Sequence, residues 1–346
     1  MKRKPTSETV DLAHLVEIVE SFPKRTVAMI GDLVADEFVS GDISRVSREA
    51  PVLILRHRQT EFVPGGGANA ANNLVDLGAT VLPVGVVGDD AAGRAMIEYF
   101  RRKGVDTRGI TLLKGWTTTT KVRFLAGWAH TARQQVLRVD REPSGPLPST
   151  AQAELLRQAR SAAARSDAAL LSDYGCGALS PDLARKIRCK ISVLDSRYAV
   201  LAYAKAGLTA ATPNEPELEA AFGAHIGHDF AALDRLGARL LKTLNLEALL
   251  VTRGRDGMAL FERGRKPLHL AVHGSDQAVD VTGAGDTVIA VFTLARASGA
   301  SYAEAARLAN YAGGIVVMKR GTATVTRAEL VAAIHSDMTH TAPAAR

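Results

Sequence analysis

The chain has 346 residues, of which 47% are hydrophobic and 5% are aromatic, and its formal net charge is +7. A chain of this length is long enough for one large α/β core. Lysine and arginine are spread along the sequence and are not interleaved with aromatic residues. This distribution favours a pocket for anionic substrates and argues against a nucleic-acid partner.

The cysteine and hydropathy patterns indicate in which cell compartment the protein is expected. Cys176 and Cys189 lie outside any C-x-x-C pair, which is typical of a protein in the reducing cytoplasm. The basic start of the chain is not followed by an apolar segment of the secretory type. No apolar run approaches the ~18 residues that a membrane span requires. We therefore expect a cytoplasmic protein with no membrane partner.

Short apolar runs alternate with helical patterns along most of the chain. After an arm and a short helix in residues 1–24, this alternation predicts βαβ units and a parallel sheet covered by helices on both faces. The predicted core covers residues 25–330, and a helix and polar tail follow at 331–346. Strands are predicted at 26–30, 81–87, 168–171, 192–194, 208–211 and 248–252, and helices at 68–77, 91–103, 151–165 and 230–244.

Two stretches, about 38–63 and 117–140, interrupt this alternation with β-branched and arginine-rich sequence that has no helical period. Two long surface loops are one interpretation, but loops of this length are uncommon inside a compact domain. We predict a small antiparallel sheet that forms a lid beside the core. Because sheet edges with apolar faces tend to be covered, we also expect a homodimer through the lid. The predicted apolar face consists of Val52, Ile54, Val122 and Phe124.

The segment 280–287 is the most informative for chemistry, because a turn of small residues there leads directly into an apolar helix. The backbone amides of Gly283, Ala284 and Gly285 would converge at the positive end of that helix and form an anion hole. Asp286, in the first helical turn, is the predicted base that accepts a proton from an attacking hydroxyl. The simpler interpretation is a helix N-cap. The segment lacks the third glycine of the dinucleotide fingerprint, and the sequence contains no G-x-x-x-x-G-K-[ST] loop.

A second cluster places Gly65, Gly66 and Gly67 at the start of a predicted helix that has Asn69 in its first turn. Glycines let a ligand approach the backbone, and an amide side chain both donates to and accepts from sugar hydroxyls. Asp32 follows the first strand and is positioned to accept from two neighbouring hydroxyls. A capping or turn aspartate is the alternative interpretation of Asp32.

These two segments together resemble the signatures of the ribokinase-like (PfkB) carbohydrate kinases, and the resemblance covers roughly residues 24–330. It implies a three-layer α/β/α core with a mostly parallel sheet, a β lid over the sugar, and Mg²⁺ and ATP as cofactor and co-substrate. A monovalent cation is an additional candidate. The resemblance also implies that Glu217 holds Mg²⁺ through water. The ATP contacts that it implies are Asn214, Thr252, Gly254, Asn310 and Gly313.

Within the family, the segments 44–52, 133–140, 171–175 and 286–291 resemble the heptose 7-phosphate kinases. That branch phosphorylates the anomeric hydroxyl of D-glycero-D-manno-heptose 7-phosphate to the β-1,7-bisphosphate in lipopolysaccharide core synthesis. No His-x-Gly-His nucleotidyltransferase signature is visible, so the sequence is similar to the single-function form. The resemblance implies a substrate contact at Asp173.

A phosphorylated sugar requires cations, and the lid candidates are rich in arginine, which grips phosphate bidentately. We single out Arg133 and Arg138, with Gln135 beside them as a hydroxyl partner; a solvated basic surface is the alternative. A related kinase for fructose, tagatose or ribose derivatives also remains open, as does a catalytically silent nucleotide sensor. The intact Asp286, Gly283 and Gly285 argue against the silent sensor.

Overall fold

The computed structural model describes residues 11–128, 133–275 and 277–341. Residues 1–10 of the predicted arm, 129–132 of the second lid segment and 342–346 of the predicted tail lie outside these ranges. The strands are β1 Thr26–Gly31, β2 Leu33–Val46, β3 Leu53–Gly66, β4 Thr80–Gly88, β5 Ile110–Leu113, β6 Thr120–Gly127, β7 Gln134–Arg141, β8 Ala168–Asp173, β9 Ser192–Ser196, β10 Ala210–Ala211, β11 Ala248–Thr252, β12 Met258–Glu262 and β13 Leu268–Leu270. The helices are α1 Leu12–Glu20, α2 Gly67–Asp76, α3 Ala91–Arg102, α4 Ser149–Ala164, α5 Pro181–Lys186, α6 Glu215–Phe222, α7 Phe230–Leu244, α8 Ala284–Ala297, α9 Tyr302–Val316 and α10 Arg327–Thr341.

The large sheet has nine strands in the order β13-β12-β11-β10-β9-β8-β1-β4-β5. Its strands from β11 to β5 are parallel, and β12 and β13 add an antiparallel edge. This arrangement follows from the alternation of strands and helices, because parallel neighbours need helical crossovers. The predicted α/β core with a mostly parallel sheet is confirmed.

Helices cover both faces of this sheet, and alternate residues of each strand contribute to the two cores. In β1, Val27 and Met29 pack with α1, α2, α3, α8, α9 and α10, whereas Ala28 and Ile30 pack with α4, α5, α6 and α7. Alanines of α8 and α9 are fully buried, which lets these helices lie close to the sheet. The result is the three-layer α/β/α arrangement. No helix in the described ranges is both long and apolar enough to cross a membrane.

The two lid segments form a second sheet in the order β3-β2-β6-β7. The sequence analysis predicted an antiparallel sheet, but β2 and β6 pair in parallel, with Ala35 opposite Thr120. Parallel pairing is possible because a long connection through α2, β4, α3 and β5 returns the chain to the same end of the lid. The lid is therefore a mixed sheet.

The lid presents different residues on its two faces. Register places Val39 beside Phe124 and Phe124 beside Leu137, and Leu55 lies on the same outer face. The predicted apolar face was partly wrong. Val122 is 2% exposed at the core end of β6, and Ile54 alternates to the face opposite Leu55. We call the set Val39, Leu53, Leu55, Phe124 and Leu137 the outer lid face.

Asp32, which links β1 to β2, organises a loop of the core. Its carboxylate accepts backbone hydrogen bonds from Tyr174 (2.7 Å), Cys176 (3.0 Å) and Ala178 (2.8 Å), and the residue is 1% exposed. The expected sugar contact at Asp32 stays a prediction, and the contacts seen are structural. Its oxygens satisfy three amides of the loop that follows β8, which is the capping role that the sequence left as the alternative.

We expect Asp32→Ala to lower the free energy of unfolding by about 2–4 kcal/mol, because three buried amides would lose their acceptor. Urea denaturation measures this loss. The control is Asp182→Ala, whose side chain is 80% exposed on α5 and should change stability by less than about 0.5 kcal/mol. A variant that keeps the parent stability but loses sugar affinity would support the substrate role of Asp32.

Candidate active site

A cavity of about 690 Å³ lies where the carboxyl ends of the parallel strands, the lid and the start of α8 meet. Ligands bind at this end of open parallel sheets because loops and helix N-termini converge there. Nine residues predicted from the sequence line it together. They are Gly66, Arg138, Asn214, Glu217, Thr252, Gly254, Gly283, Gly285 and Asp286.

The start of α8 has the geometry of an anion site. Gly283 is the N-cap, with φ 78°, and a β-carbon there would lie 2.5 Å from the Asn69 amide nitrogen, so the position requires glycine. Among the described residues, the backbone amides of Gly285 and Asp286 have no hydrogen-bond partner. The amide of Ala284 instead donates to the carbonyl of Val281 at 3.2 Å. Of the three predicted amides, only that of Ala284 is therefore occupied, since the amide of Gly283 also has no hydrogen-bond partner among the described residues.

The Asp286 carboxylate is 4% exposed and is held at both oxygens. Oδ1 accepts from the Tyr174 hydroxyl at 2.6 Å, and Oδ2 accepts from Asn69 Nδ2 at 2.9 Å. Burial raises the pKa of Asp286 to about 6, although both hydrogen bonds act to lower it. A pKa near 6 still leaves the carboxylate mostly ionised at neutral pH.

The glycine-rich segment at the start of α2 contacts the Asp286 carboxylate through Asn69. Asn69 is fully buried and donates a hydrogen bond to Asp286, and its predicted contact with the sugar stays a prediction. The predicted contact of Gly67 is likewise untested, but this glycine has a packing role. A β-carbon on Gly67 would lie 2.7 Å from the carbonyl of Asp32, so this glycine allows α2 to pack against the chain that follows β1. Gly66, with φ 53°, lines the cavity.

Five cations line the cavity: Lys121, Arg123 and Arg138 come from the lid, and Arg197 and Arg253 come from the core, where Arg253 pairs with Glu215. Arg123 forms an ion pair with Asp36, and Arg138 Nε donates to Asp140 Oδ1 at 2.9 Å. Lys121 and Arg197 form no salt bridge within the described residues. Burial, together with the neighbouring arginines, lowers the pKa of Lys121. The cavity therefore has an excess of positive charge on its lid side.

Three predicted contacts lie outside the cavity. Arg133 is exposed and pairs with Asp42 at 3.3 Å, and Gln135 is exposed on β7. Asp173 is 7% exposed and accepts from Ser196 Oγ at 3.0 Å and from the Tyr203 hydroxyl at 2.8 Å. The structure gives these residues surface or structural contacts, and their substrate contacts stay predictions. The alternation of side chains along a strand predicts which face a residue lies on, but it does not predict how far along the strand the cavity extends.

Two carboxylates, Asp195 and Glu217, line the cavity near Asp286. Burial raises the pKa of Asp195 well above its usual range, and Glu217 and Asp286 add to this effect. Burial also raises the pKa of Glu217, which forms a capping box with Asn214 at 2.8–2.9 Å. Crowded carboxylates of this kind suit a hard cation that keeps several waters, as Mg²⁺ does. No group of three or more His, Cys, Asp or Glu side chains in the described ranges is arranged to hold a metal directly.

A second cavity of about 380 Å³ adjoins the first and shares Thr252, Gly254 and Gly285 with it. Its other walls are mostly apolar, with Met258 and Val288 on two sides. Asn310 and Gly313, predicted as ATP contacts, both line it, and Asn310 Nδ2 donates to the carbonyl of Ala271 at 2.7 Å. The flat base of ATP fits between such walls. The phosphates of ATP would then lie toward the start of α8.

Sequence reasoning did not assign Asp36, Lys121, Tyr174, Asp195 or Arg197 to the site. Asp195 and Arg197 had a usable signal, because they follow the predicted strand 192–194 at its carboxyl end. Asp36 lies in β2 only four residues after Asp32, so position alone did not show which aspartate faces the cavity.

Comparisons with known proteins show which family the chain belongs to. The chain is 40% identical over 321 residues to the bifunctional protein HldE of Desulfatibacillum aliphaticivorans. The matched region covers 91% of this chain and 64% of that protein. It is 41% identical to the HldE of Geobacter metallireducens, covering 89% of this chain and 63% of that protein. The chain thus spans less than two thirds of the length of these curated relatives.

Solved structures share the fold at low sequence identity. Arabidopsis thaliana ribokinase, in a complex with ribose and ATP, has a TM-score of 0.68 and 20% identity, covering 90% of this chain and 98% of that one. Phosphofructokinase-2 of Escherichia coli, in complex with substrates and products, has a TM-score of 0.71 and 17% identity, covering 90% and 99%. Residues 25–329 match the family described as pfkB family carbohydrate kinase, and the chain belongs to that family, whose members transfer a phosphoryl group to a sugar hydroxyl.

Proposed function

We propose that the chain transfers the γ-phosphoryl group of Mg·ATP to the anomeric hydroxyl of D-glycero-D-manno-heptose 7-phosphate, in the synthesis of the ADP-heptose used for lipopolysaccharide. One observation carries the proposal: a buried carboxylate beside two free helix amides faces a group of lid cations across one cavity. The cations suit a sugar that already carries a phosphate. The resemblance of four sequence segments to heptose 7-phosphate kinases and the 40% identity to HldE proteins support heptose as the sugar.

In the proposed reaction, Asp286 accepts the proton of the anomeric hydroxyl as that oxygen attacks the γ-phosphorus. The bond from the γ-phosphorus to the bridging oxygen breaks, and ADP leaves. The amides of Gly285 and Asp286 stabilise the negative charge on the transferred group. Asp195 and Glu217 would hold Mg²⁺ through water, and the ion supplies further neutralisation of the phosphate oxygens.

A substrate panel tests the proposal directly. The heptose 7-phosphate, the unphosphorylated heptose, fructose 6-phosphate and ribose are each incubated with Mg·ATP, and ADP release is followed together with the ³¹P spectrum of the product. We expect a new anomeric phosphate signal with the heptose 7-phosphate. A preference for fructose 6-phosphate would support the alternative of another phosphosugar, and equal rates with free heptose would rule out recognition of the 7-phosphate.

The base is tested by Asp286→Asn, which keeps the shape of the side chain but cannot accept the proton. We expect kcat to fall by about 10²–10⁴ with ATP and sugar affinity nearly unchanged. In the parent enzyme, kcat/KM should rise between pH 5 and pH 7 with a midpoint near the Asp286 pKa of about 6, because kcat/KM reports the ionisation of the free enzyme. The control is Asp182→Asn on the surface of α5. Residual activity within a few-fold of the parent would leave Asp286 as a helix-capping residue only.

The sugar-phosphate contact is tested by comparing two arginines of the second lid segment. Arg138 lines the cavity, whereas Arg133 pairs with Asp42 outside it. Loss of a charge-assisted contact worth about 1.5–3 kcal/mol should raise the KM for the sugar phosphate of Arg138→Ala by roughly tenfold or more, with little change in kcat. Arg133→Ala should keep the parent KM. Equal effects of the two substitutions would count against this placement of the phosphate.

The outer lid face is the proposed contact for a second copy of the chain. Leu137 is 55% exposed and Leu53 is 44% exposed there, beside a shallow groove of about 560 Å³. We expect light scattering at micromolar concentration to give the mass of a dimer, and Leu137→Asp to give a monomer. Leu112→Asp, an exposed leucine on β5 of the core, is the control and should remain dimeric. A monomeric parent protein would contradict the proposal.

A further inference from the structure

We propose that Tyr174 is a positioning residue for the reaction: its hydroxyl fixes the Asp286 carboxylate and keeps it ready to accept a proton. This inference rests on the proposed function of Asp286 as the base. It concerns the loop that follows β8, to which the family resemblance gave no such role.

The contact geometry leaves one acceptor position on each oxygen of Asp286. The Tyr174 hydroxyl donates to Oδ1 at 2.6 Å, and Asn69 Nδ2 donates to Oδ2 at 2.9 Å. Because a carboxylate oxygen accepts two hydrogen bonds, each still has a free lone pair for a substrate hydroxyl. Two donors on opposite oxygens also prevent the carboxylate from rotating about its Cβ–Cγ bond.

Tyr174 is itself held by contacts that do not involve Asp286. Its backbone amide donates to Asp32 at 2.7 Å, which ties the residue to the end of β1. Its ring lies against Gly66, where a β-carbon would be 3.2 Å from the ring, and the Lys121 ammonium is 5.7 Å from the ring centroid. The hydroxyl therefore reaches Asp286 from a fixed direction.

The pKa of Asp286 depends on the charges around it as well as on this hydrogen bond. Burial raises the pKa of Asp286, and Asp36 on β2 raises it further. Lys121 on β6 lowers the pKa, as do the hydrogen bonds from Asn69 and Tyr174. Asp195 on β9 interacts electrostatically with Asp286 from a third side.

The tyrosine remains a donor under all working conditions. Burial and the charge of Asp286 raise the pKa of Tyr174 well above its usual value. Because the tyrosine always donates, the change in the pKa of Asp286 on its removal has a definite direction. Without the hydroxyl, the ionised form of Asp286 loses a stabilising donor, so its pKa rises and the base is protonated up to a higher pH.

The test is the pH dependence of kcat/KM, which reports the free enzyme, for Tyr174→Phe. Tyr198→Phe is the control, because Tyr198 is a neighbouring tyrosine that is 73% exposed. We expect the acid limb of the Tyr174→Phe profile to move up by about one pH unit. A shift of this size lowers kcat/KM about fivefold at pH 6 and less than about 1.5-fold at pH 8. The control should follow the parent profile. A loss that is the same at every pH, or an unmoved limb, would overturn the proposal.

A second substitution distinguishes the loss of the hydrogen bond from a folding defect in Tyr174→Phe. Replacement of Tyr174 by 3-fluorotyrosine keeps the ring and makes the hydroxyl a stronger donor, so the acid limb should move to lower pH. Movement in opposite directions for the two proteins is not expected from a packing defect. No movement, or movement to higher pH, with fluorotyrosine would contradict the inference.

Failure of the proposed function would be visible separately. If no sugar of the panel is phosphorylated, the pKa of Asp286 is read from the carboxyl ¹³C signal of the free protein, with Asp286→Asn identifying that signal. A higher pKa in Tyr174→Phe would then support the positioning role without any turnover. An unchanged pKa would reject it.

Discussion

The burial of one carboxylate at the start of α8 is the constraint on which the site depends. Asp286 is 4% exposed, and an ionised group at such a place is costly unless donors surround it. Asn69 from α2 and Tyr174 from the loop after β8 supply those donors, so two separate parts of the chain must meet at this point. The cost of burial is not fully offset, and the residual effect is the pKa of about 6 that a general base requires.

The sequence was sufficient to predict the core and the turn that leads into α8. Alternating apolar runs and helical patterns predict a parallel sheet for general reasons, and a small-residue turn before an apolar helix predicts an anion site. The same reasoning could not choose among polar residues that lie close together. Asp32 and Asp36 differ in role only because the first is turned toward the amides that follow β8 and the second lies beside Arg123 in the cavity. That distinction depends on tertiary contacts between distant segments.

The strand pairing of the lid is a second feature that the sequence could not predict. A strand pattern identified both segments, but the parallel pairing of β2 with β6 depends on where the intervening chain returns. Strand alternation then decides the function of each side chain. Lys121 and Arg123 face the cavity while Phe124 faces away, and a bulge between Phe124 and Leu125 shifts the register beyond it. Arg138 and Arg133 could not be separated before this register was known.

The lid is also continuous with the core, because β2 begins at the buried Leu33 and β3 ends at Gly66, the residue before α2. No flexible connection separates the two sheets at this point. The part of the lid near the core therefore shares the cooperative unfolding unit of the core, whereas the exposed part beyond the irregularity at Gly41 can open by itself. In hydrogen-exchange terms, the amides of one uninterrupted strand should fall into two classes of protection, slow near Ala35 and fast near Val46.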